Sequence, residues 1–300
     1  MRVRAPAKIN LSLRVVGTRR DGFHELRTVF QSIALHDTLT IRRSRGPFRL
    51  TCDDPTCPGD ESNLIWRAAD RMWNAAARRG RPRDLAIDLR KRIPMNAGLG
   101  GGSSDAAAAI RALARIWRVD AGRAHAIGRE LGADVPYFFE GGTVLGLERG
   151  DLLFPLIDRA RAWVVLVLPD FGVSTKEAFG WWDEASDAGP PLQGPTRNDW
   201  RPERTAVGEF VESPEYVNDL EPVVSHRHPA IARVVTRLRA LGASHAAMTG
   251  SGSTIFGLFD SRPAADRASH AVRLHSQRTV VTTVVTTTVN RTQYQRLAAI

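Results

Sequence analysis

The sequence predicts mixed α and β structure in one large or two moderate domains, and three observations carry that prediction. From Lys8 onward polar and apolar residues alternate, with Ile9, Leu11, Leu13 and Val15 apolar, which is the period of a half-buried strand. Ile110, Leu113, Ala114 and Trp117 recur at helical spacing and mark one buried helix face. The chain has 300 residues, 43% of them hydrophobic, enough for a large core. A turn at Gly150-Asp151 divides it into residues 1–150 and 151–300.

In chain order, the first strand sets Lys8 and Asn10 on one face, two residues apart. Taken singly, Lys8 reads as a solvated strand end. Gly17 to Gly22 make a turn, and His24, just beyond it, reads alone as an exposed turn histidine. An apolar run from Val29 to Leu35 and an alternating stretch from Thr38 to Arg42 follow. Ser62 or Asn63 caps a helix expected to reach Arg78, with Leu64, Ala68, Met72 and Ala75 on its buried stripe. A second helix from Ala121 to Leu131 stops at Gly132. Asp134 lies between that stop and Pro136. It fits an Asx-type turn, yet an acid in so apolar a neighbourhood needs donors or a function.

In the second half, the run from Trp163 to Pro169 is an apolar strand, and Ser174 or Thr175 caps the helix after it. Residues 185–202, rich in Pro, Gly, Asp and Asn, read as a surface loop. A helical region opens at Asn218 and ends at Gly242. Residues 246–259 read as strand, glycine turn, strand. The Val- and Thr-rich stretch from Thr279 to Asn290 favours a strand, and residues 293–300 a helix or a frayed end.

The densest signal is Pro94-Met95-Asn96-Ala97-Gly98-Leu99-Gly100-Gly101-Gly102-Ser103-Ser104-Asp105, running into Ala106-Ala107-Ala108-Ala109. Glycines leave no Cβ between their N–H groups and a ligand, and a helix starting at such a loop adds unpaired N–H groups and the positive end of its dipole. This is a phosphate cradle. It is not a Walker loop, because no lysine follows Gly102, and not a dinucleotide fingerprint, because Ser103 stands where its last glycine belongs.

Composition excludes other classes. No apolar run approaches the roughly 20 residues that span a bilayer, and the first residues lack the apolar segment of a signal peptide. A soluble, cytoplasmic protein is expected. Cys52 and Cys57 stand alone, without the two further ligands zinc requires, and read as reduced and structural or incidental. The net charge is +10, but only three of the 42 basic residues are lysines (Lys8, Lys91, Lys176). The arginines are dispersed, without the dense run or interleaved aromatics of a nucleic-acid face.

The glycine loop resembles the Pro-x-x-x-Gly-Leu-Gly-Ser/Gly-Ser-Ser motif of the GHMP kinases, small-molecule kinases that carry ATP there with serines near the phosphates and magnesium. Pro6-Ala7-Lys8-Ile9-Asn10-Leu11, Arg20-Asp21-Gly22-Phe23-His24-Glu25-Leu26 and Leu131-Gly132-Ala133-Asp134-Val135-Pro136 resemble one branch, the 4-diphosphocytidyl-2-C-methyl-D-erythritol kinases. One departure is Phe23, where that branch has tyrosine. The ring can still stack on a base, but the phenolic hydrogen bond is lost.

The resemblance implies an α+β fold of two domains, an N-terminal ribosomal-protein-S5-like ATP domain and a C-terminal ferredoxin-like domain, with the active site between them. It implies Lys8 and Asp134 as catalytic residues, and ATP with Mg²⁺ on Pro94, Gly98, Leu99, Gly100, Gly101, Gly102, Ser103 and Ser104, with Asn63 and Lys91 beside the adenine. It implies a small-molecule substrate, 4-diphosphocytidyl-2-C-methyl-D-erythritol, held by Asn10, Phe23, His24, Thr175 and Phe179, with Trp181 or Trp182 as alternative base walls. No protein ligand set for a metal is implied, nor a nucleic-acid or membrane partner; a monomer or homodimer is expected. The alternatives are another GHMP kinase, of homoserine or mevalonate type, and a non-catalytic nucleotide- or RNA-binding protein on this fold.

Overall fold

The computed structural model describes residues 1–187, 217–275 and 281–299. Its N-terminal sheet has six strands: β1 (Arg2–Thr18), β2 (His24–Pro47), β3 (Arg49–Cys52), β4 (Arg83–Arg90), β5 (Thr143–Glu148) and β6 (Leu152–Pro155). The order is β3-β4-β2-β5-β6, with β1 also paired to β2. The long β2 serves three partners in turn, antiparallel to each. Helices α1 (Leu64–Ala75), α2 (Gly101–Trp117) and α3 (Ala121–Leu131) cover this sheet, and the short α4 (Tyr137–Glu140) follows. Ala106 to Ala109 are fully buried, small side chains that let α2 sit close to its neighbours.

The second sheet is antiparallel throughout, in the order β10-β7-β9-β8, from β7 (Trp163–Pro169), β8 (His245–Met248), β9 (Ile255–Phe259) and β10 (Val281–Thr287). Helix α5 (Thr175–Asp187) precedes three more, α6 (Glu221–Arg227), α7 (Ala230–Ala240) and α8 (Arg262–His275), and α9 (Arg291–Leu297) ends the chain. Alternate residues of β7 face opposite ways: Val165 and Val167 pack among α6 to α8, while Val164, Leu166 and Leu168 meet Ile9, Leu11 and Ile33 of the first sheet. Burial on both faces explains why β7 reads as one continuous apolar run.

The same layering corrects the reading of β1. Period two predicts one wet face, yet residues 5–13 are all buried. Val3 and Ala5 face the helices, whereas Ala7, Ile9 and Leu11 face the second sheet, although all five have odd numbers. The register shift between Pro6 and Lys8 reverses the alternation, as a β-bulge does. It turns Lys8 and Asn10 away from the second sheet.

The division at residue 150 also moves. Strand β6 pairs with β5 in the first sheet, and α9 packs Tyr294 into the N-terminal core, where its hydroxyl donates to Phe138 O at 2.7 Å. Other boundaries shift by capping. Asn63 caps α1, which ends at Ala75, three residues before the expected stop. The expected helix across 218–241 breaks into α6 and α7 at His228-Pro229, because a residue before proline avoids the helical region. Residues 185–187 belong to α5, and 188–202 of the expected loop lie outside the described residues. Asn290 and Gln293 form a capping box, so the C-terminal segment is helical rather than frayed.

Candidate active site

The two halves enclose a cleft of about 1210 Å³, more than one small ligand occupies. One wall is the glycine loop. Gly98 and Gly100 have φ of +71° and +69°, a conformation that L side chains rarely adopt. A Cβ at Gly98 would stand 2.3 Å from Thr249 O, and one at Gly100 3.2 Å from Lys8 Cε. Glycine is therefore required both for backbone shape and for the close approach of Lys8 and of the second glycine turn, residues 249–252.

Helix α2 starts at Gly101, capped by Gly100, and its first backbone bond of that turn is Ser104 N–H to Gly100 O at 2.9 Å. The N–H groups of Gly101, Gly102 and Ser103 precede that bond, and no acid occupies the first turn to offset the dipole. The arrangement fits polyphosphate. Ser104 does not belong to it. It lies inside the helix, 1% exposed, and its hydroxyl donates to Pro6 O at 2.7 Å.

Lys8 is buried, not a solvated strand end. Its Nζ donates to Asn10 Oδ1 at 2.8 Å and lies 3.5 Å from Asp134 Oδ2, whose side chain is 35% exposed. Asn10 is held in turn: Nδ2 donates to Thr28 Oγ1 at 2.7 Å, and its backbone N–H to Thr249 Oγ1 at 2.9 Å. The turn after α3 carries Asp134 to the cleft opposite β1. A fixed ammonium and an accessible carboxylate thus stand together beside the phosphate cradle, able to accept a proton and to shield negative charge.

At the nucleotide end, Asn63 spends its side chain on the α1 cap, with Oδ1 accepting from Ile65 N, while Nδ2 donates to Pro58 O; the residue still lines the cleft. Lys91 also lines it, but its Nζ is bound by Asp37 at 2.5 Å and Asp105 at 2.9 Å. Burial works against the ammonium, yet Asp105 and Asp37 hold Lys91 above the usual lysine range. Burial pushes the Asp105 carboxyl well up, opposed by Lys91. Cys57 faces the cleft with its thiol pushed up to about 12 by burial and by Cys52, which makes it a poor nucleophile.

At the other end, Phe23 is 55% exposed, with the Arg149 guanidinium 5.3 Å from its ring centroid. His24 stacks on Phe179, with centroids 4.5 Å apart. Thr175 Oγ1 lies 3.2 Å from Ser251 Oγ. Trp181 and Trp182 pack at the edge of the C-terminal core and do not line the cleft. The remaining residues named from sequence, Ser104 apart, do line it. Sequence reasoning missed Thr28, Arg149 and Asp183, which carry no local signal, and it gave the 249–252 turn no role in holding Asn10.

Two family models match this chain: the GHMP kinases N terminal domain over residues 63–142 and the GHMP kinases C terminal domain over residues 204–276. The chain is 43% identical over 279 residues to the 4-diphosphocytidyl-2-C-methyl-D-erythritol kinase of Solibacter usitatus, covering 89% of this chain and 83% of that one. It is 39% identical to the enzyme of that name from Moorella thermoacetica, covering 93% and 96%. The chain belongs to this branch of the GHMP kinases. A crystal structure of a 4-(cytidine 5'-diphospho)-2C-methyl-D-erythritol kinase matches with a TM-score of 0.75 at 34% identity, covering 97% of this chain and all of that one. Homoserine kinase from Cytophaga hutchinsonii shares the fold, with a TM-score of 0.70 at 21% identity. As a GHMP kinase the chain is an ATP-dependent small-molecule kinase, and the cleft between its halves is where such chemistry has room. No described helix is long and apolar enough to cross a membrane.

Proposed function

We propose that this kinase transfers the γ-phosphoryl group of ATP to the 2-hydroxyl of 4-diphosphocytidyl-2-C-methyl-D-erythritol, on the route to isoprenoid precursors. The observation that carries the reading is the pair of Lys8 Nζ and Asp134 Oδ2, 3.5 Å apart beside the glycine cradle. A tertiary alcohol is a weak nucleophile, so catalysis rests on alignment and on cancelling charge. Asp134, open to the cleft, accepts the hydroxyl proton as the oxygen attacks. Lys8 cannot swing away, because Asn10 holds its ammonium; it shields the oxygens of the group in transfer. The N–H groups of Gly101, Gly102 and Ser103 hold the phosphates.

Magnesium would arrive on the nucleotide's phosphates. Ser104 is turned onto Pro6 O and does not line the cleft, so it stands away from where the phosphates would lie. Phe23 and Phe179 flank the opposite end of the cleft, where the proposal seats the cytosine. It makes the protein a cytoplasmic enzyme of a small molecule, not of nucleic acid.

The test is ADP release with ATP, Mg²⁺ and four separate alcohols: the cytidyl substrate, homoserine, mevalonate and galactose. Turnover confined to the first is the expected result. Turnover of another alcohol instead would overturn the substrate assignment and leave the kinase.

A further inference from the structure

Asn218 is 4% exposed and does not line the cleft, yet its side chain is spent on the second glycine turn. Its Nδ2 donates to Met248 O and to Gly250 O, both at 2.8 Å, and its Oδ1 accepts from Leu220 N at 3.0 Å. Met248 and Gly250 flank Thr249. The Met248 N–H is held as well, by Glu221 Oε2 at 2.7 Å, and the Thr249 N–H donates to Thr254 O at 2.9 Å. Thr249 is fully buried, so its pinned backbone fixes where its hydroxyl stands.

From that hydroxyl the contacts run to β1. Thr249 Oγ1 accepts the Asn10 N–H at 2.9 Å and donates to Asn10 Oδ1 at 3.3 Å. The Thr28 hydroxyl gives its hydrogen to Ser12 O at 2.8 Å, so toward Asn10 Nδ2 it only accepts. These partners set which way round the Asn10 amide lies, with Oδ1 accepting from Lys8 Nζ at 2.8 Å. Two converging carbonyls need two hydrogens from one neutral atom, and an amide nitrogen supplies them. A carboxylate at 218 would set lone pairs against lone pairs, and a cation there would be a buried charge. The neighbouring Asp219 has a different task. Its carboxylate accepts from Val15 N at 2.9 Å and pairs with Arg14 at 3.2 Å, further along β1.

We propose that Asn218 is a positioning residue for phosphoryl transfer. By clamping the carbonyls on both sides of Thr249 it fixes the hydroxyl that orients Asn10, and through Asn10 the Lys8 ammonium. The inference rests on the role of Lys8 proposed above. Asn218 touches neither nucleotide nor alcohol and acts through Thr249. Without the clamp the turn is free to shift, and a misplacement of about 1 Å at a reacting group costs about 10²-fold in rate.

The test uses the full chain. Asn218→Ala and Asn218→Asp should each lower kcat at least tenfold, with KM for ATP and for the cytidyl substrate changed less than about threefold. Asp219→Ala is the control and should keep kcat within about threefold. Thr249→Val, which removes the hydroxyl, should lower kcat as Asn218→Ala does, and adding Asn218→Ala to it should cost less than about a further threefold. Thr249→Ser, which keeps the hydroxyl, should recover the rate. Because the chain has only three lysines, lysine side-chain ¹H–¹³C spectra without substrate give a second readout. Asn218→Ala should move the Lys8 signal, identified by its loss in Lys8→Met, and leave in place that of Lys91, which Asp37 and Asp105 hold. An unmoved Lys8 signal overturns the proposal. So does a wild-type kcat in Asn218→Ala, an equal loss of kcat in Asp219→Ala, or full additivity with Thr249→Val. Failure of the wild type to turn over the cytidyl substrate overturns the proposed function instead, and the Lys8 signal still decides what Asn218 does.

Discussion

Replacing Gly98 by alanine adds one methyl group at the point where the two glycine turns meet. The residue sits at φ +71°, where an L side chain costs about 1–2 kcal/mol. The new Cβ would lie 2.3 Å from Thr249 O and 3.1 Å from Gly252 O, both backbone atoms, so relief requires the turns to part by about 1 Å. Overpacking of this kind adds about 1–3 kcal/mol. The displacement also reaches the chemistry. Thr249 Oγ1 accepts the Asn10 N–H at 2.9 Å, and Asn10 Oδ1 accepts from Lys8 Nζ at 2.8 Å. Gly98→Ala should therefore lower Tm by roughly 3–8 °C and cost at least tenfold in kcat/KM. Gly180→Ala, in α5 with nothing within 4 Å of the new Cβ, is the stability control and should be neutral or slightly stabilising. Calorimetry and ADP release on both variants check this. A Gly98→Ala protein with wild-type Tm and wild-type kcat/KM would refute the contact between the turns.

Two further outcomes follow from single side chains. Phe23→Ala should raise KM for the cytidyl substrate about tenfold by removing a stacking face, while Phe23→Tyr stays within about threefold of wild type, as steady-state kinetics will show. His245 is buried in β8, and burial, then Arg239 and Arg159, hold its imidazole down at about 4, from 6.5. The folded state keeps this ring neutral, so its contribution is intact above pH 6.5 and is lost as pH falls toward 4. Between pH 7.5 and 4.5, wild type should lose about 2–3 kcal/mol more stability than His245→Gln, measured by urea unfolding at both values.

The motifs were legible because they are local. The glycine loop, the caps and the spacing of Lys8 and Asn10 each lie within a dozen residues, and backbone chemistry reads them directly. What local pattern could not supply is what lands on the other side. Period two in β1 implies a wet face, but residues beyond 160 build a second sheet against it. Ser103 and Ser104 look equivalent in sequence, yet helix phase turns one toward the cleft and the other onto Pro6. Lys91 stands close to the loop, but its partners Asp37 and Asp105 come from β2 and α2, and the triad is visible only once both have packed. His24 Nε2 meets Asp183 Oδ1 at 2.8 Å from 159 residues away, and no periodicity connects them. The family motifs point to residues that, Ser104 apart, line one cleft. The partners that hold them are products of topology.

The central claim is that Lys8 and Asp134 act together on the group in transfer, and single-turnover phosphoryl transfer by Lys8→Met, Asp134→Asn and the double variant tests it most directly. Met keeps the length of the lysine stem and gives up only the ammonium, 5.4 Å from the Phe30 ring centroid, and Asn keeps the shape of the acid, so all three should fold with Tm near that of wild type. Each single variant should transfer about 10²–10⁴-fold more slowly, and the double variant should be hardly worse than the slower single one, since the groups work as a unit. A folded single variant within tenfold of the wild-type rate would contradict the account.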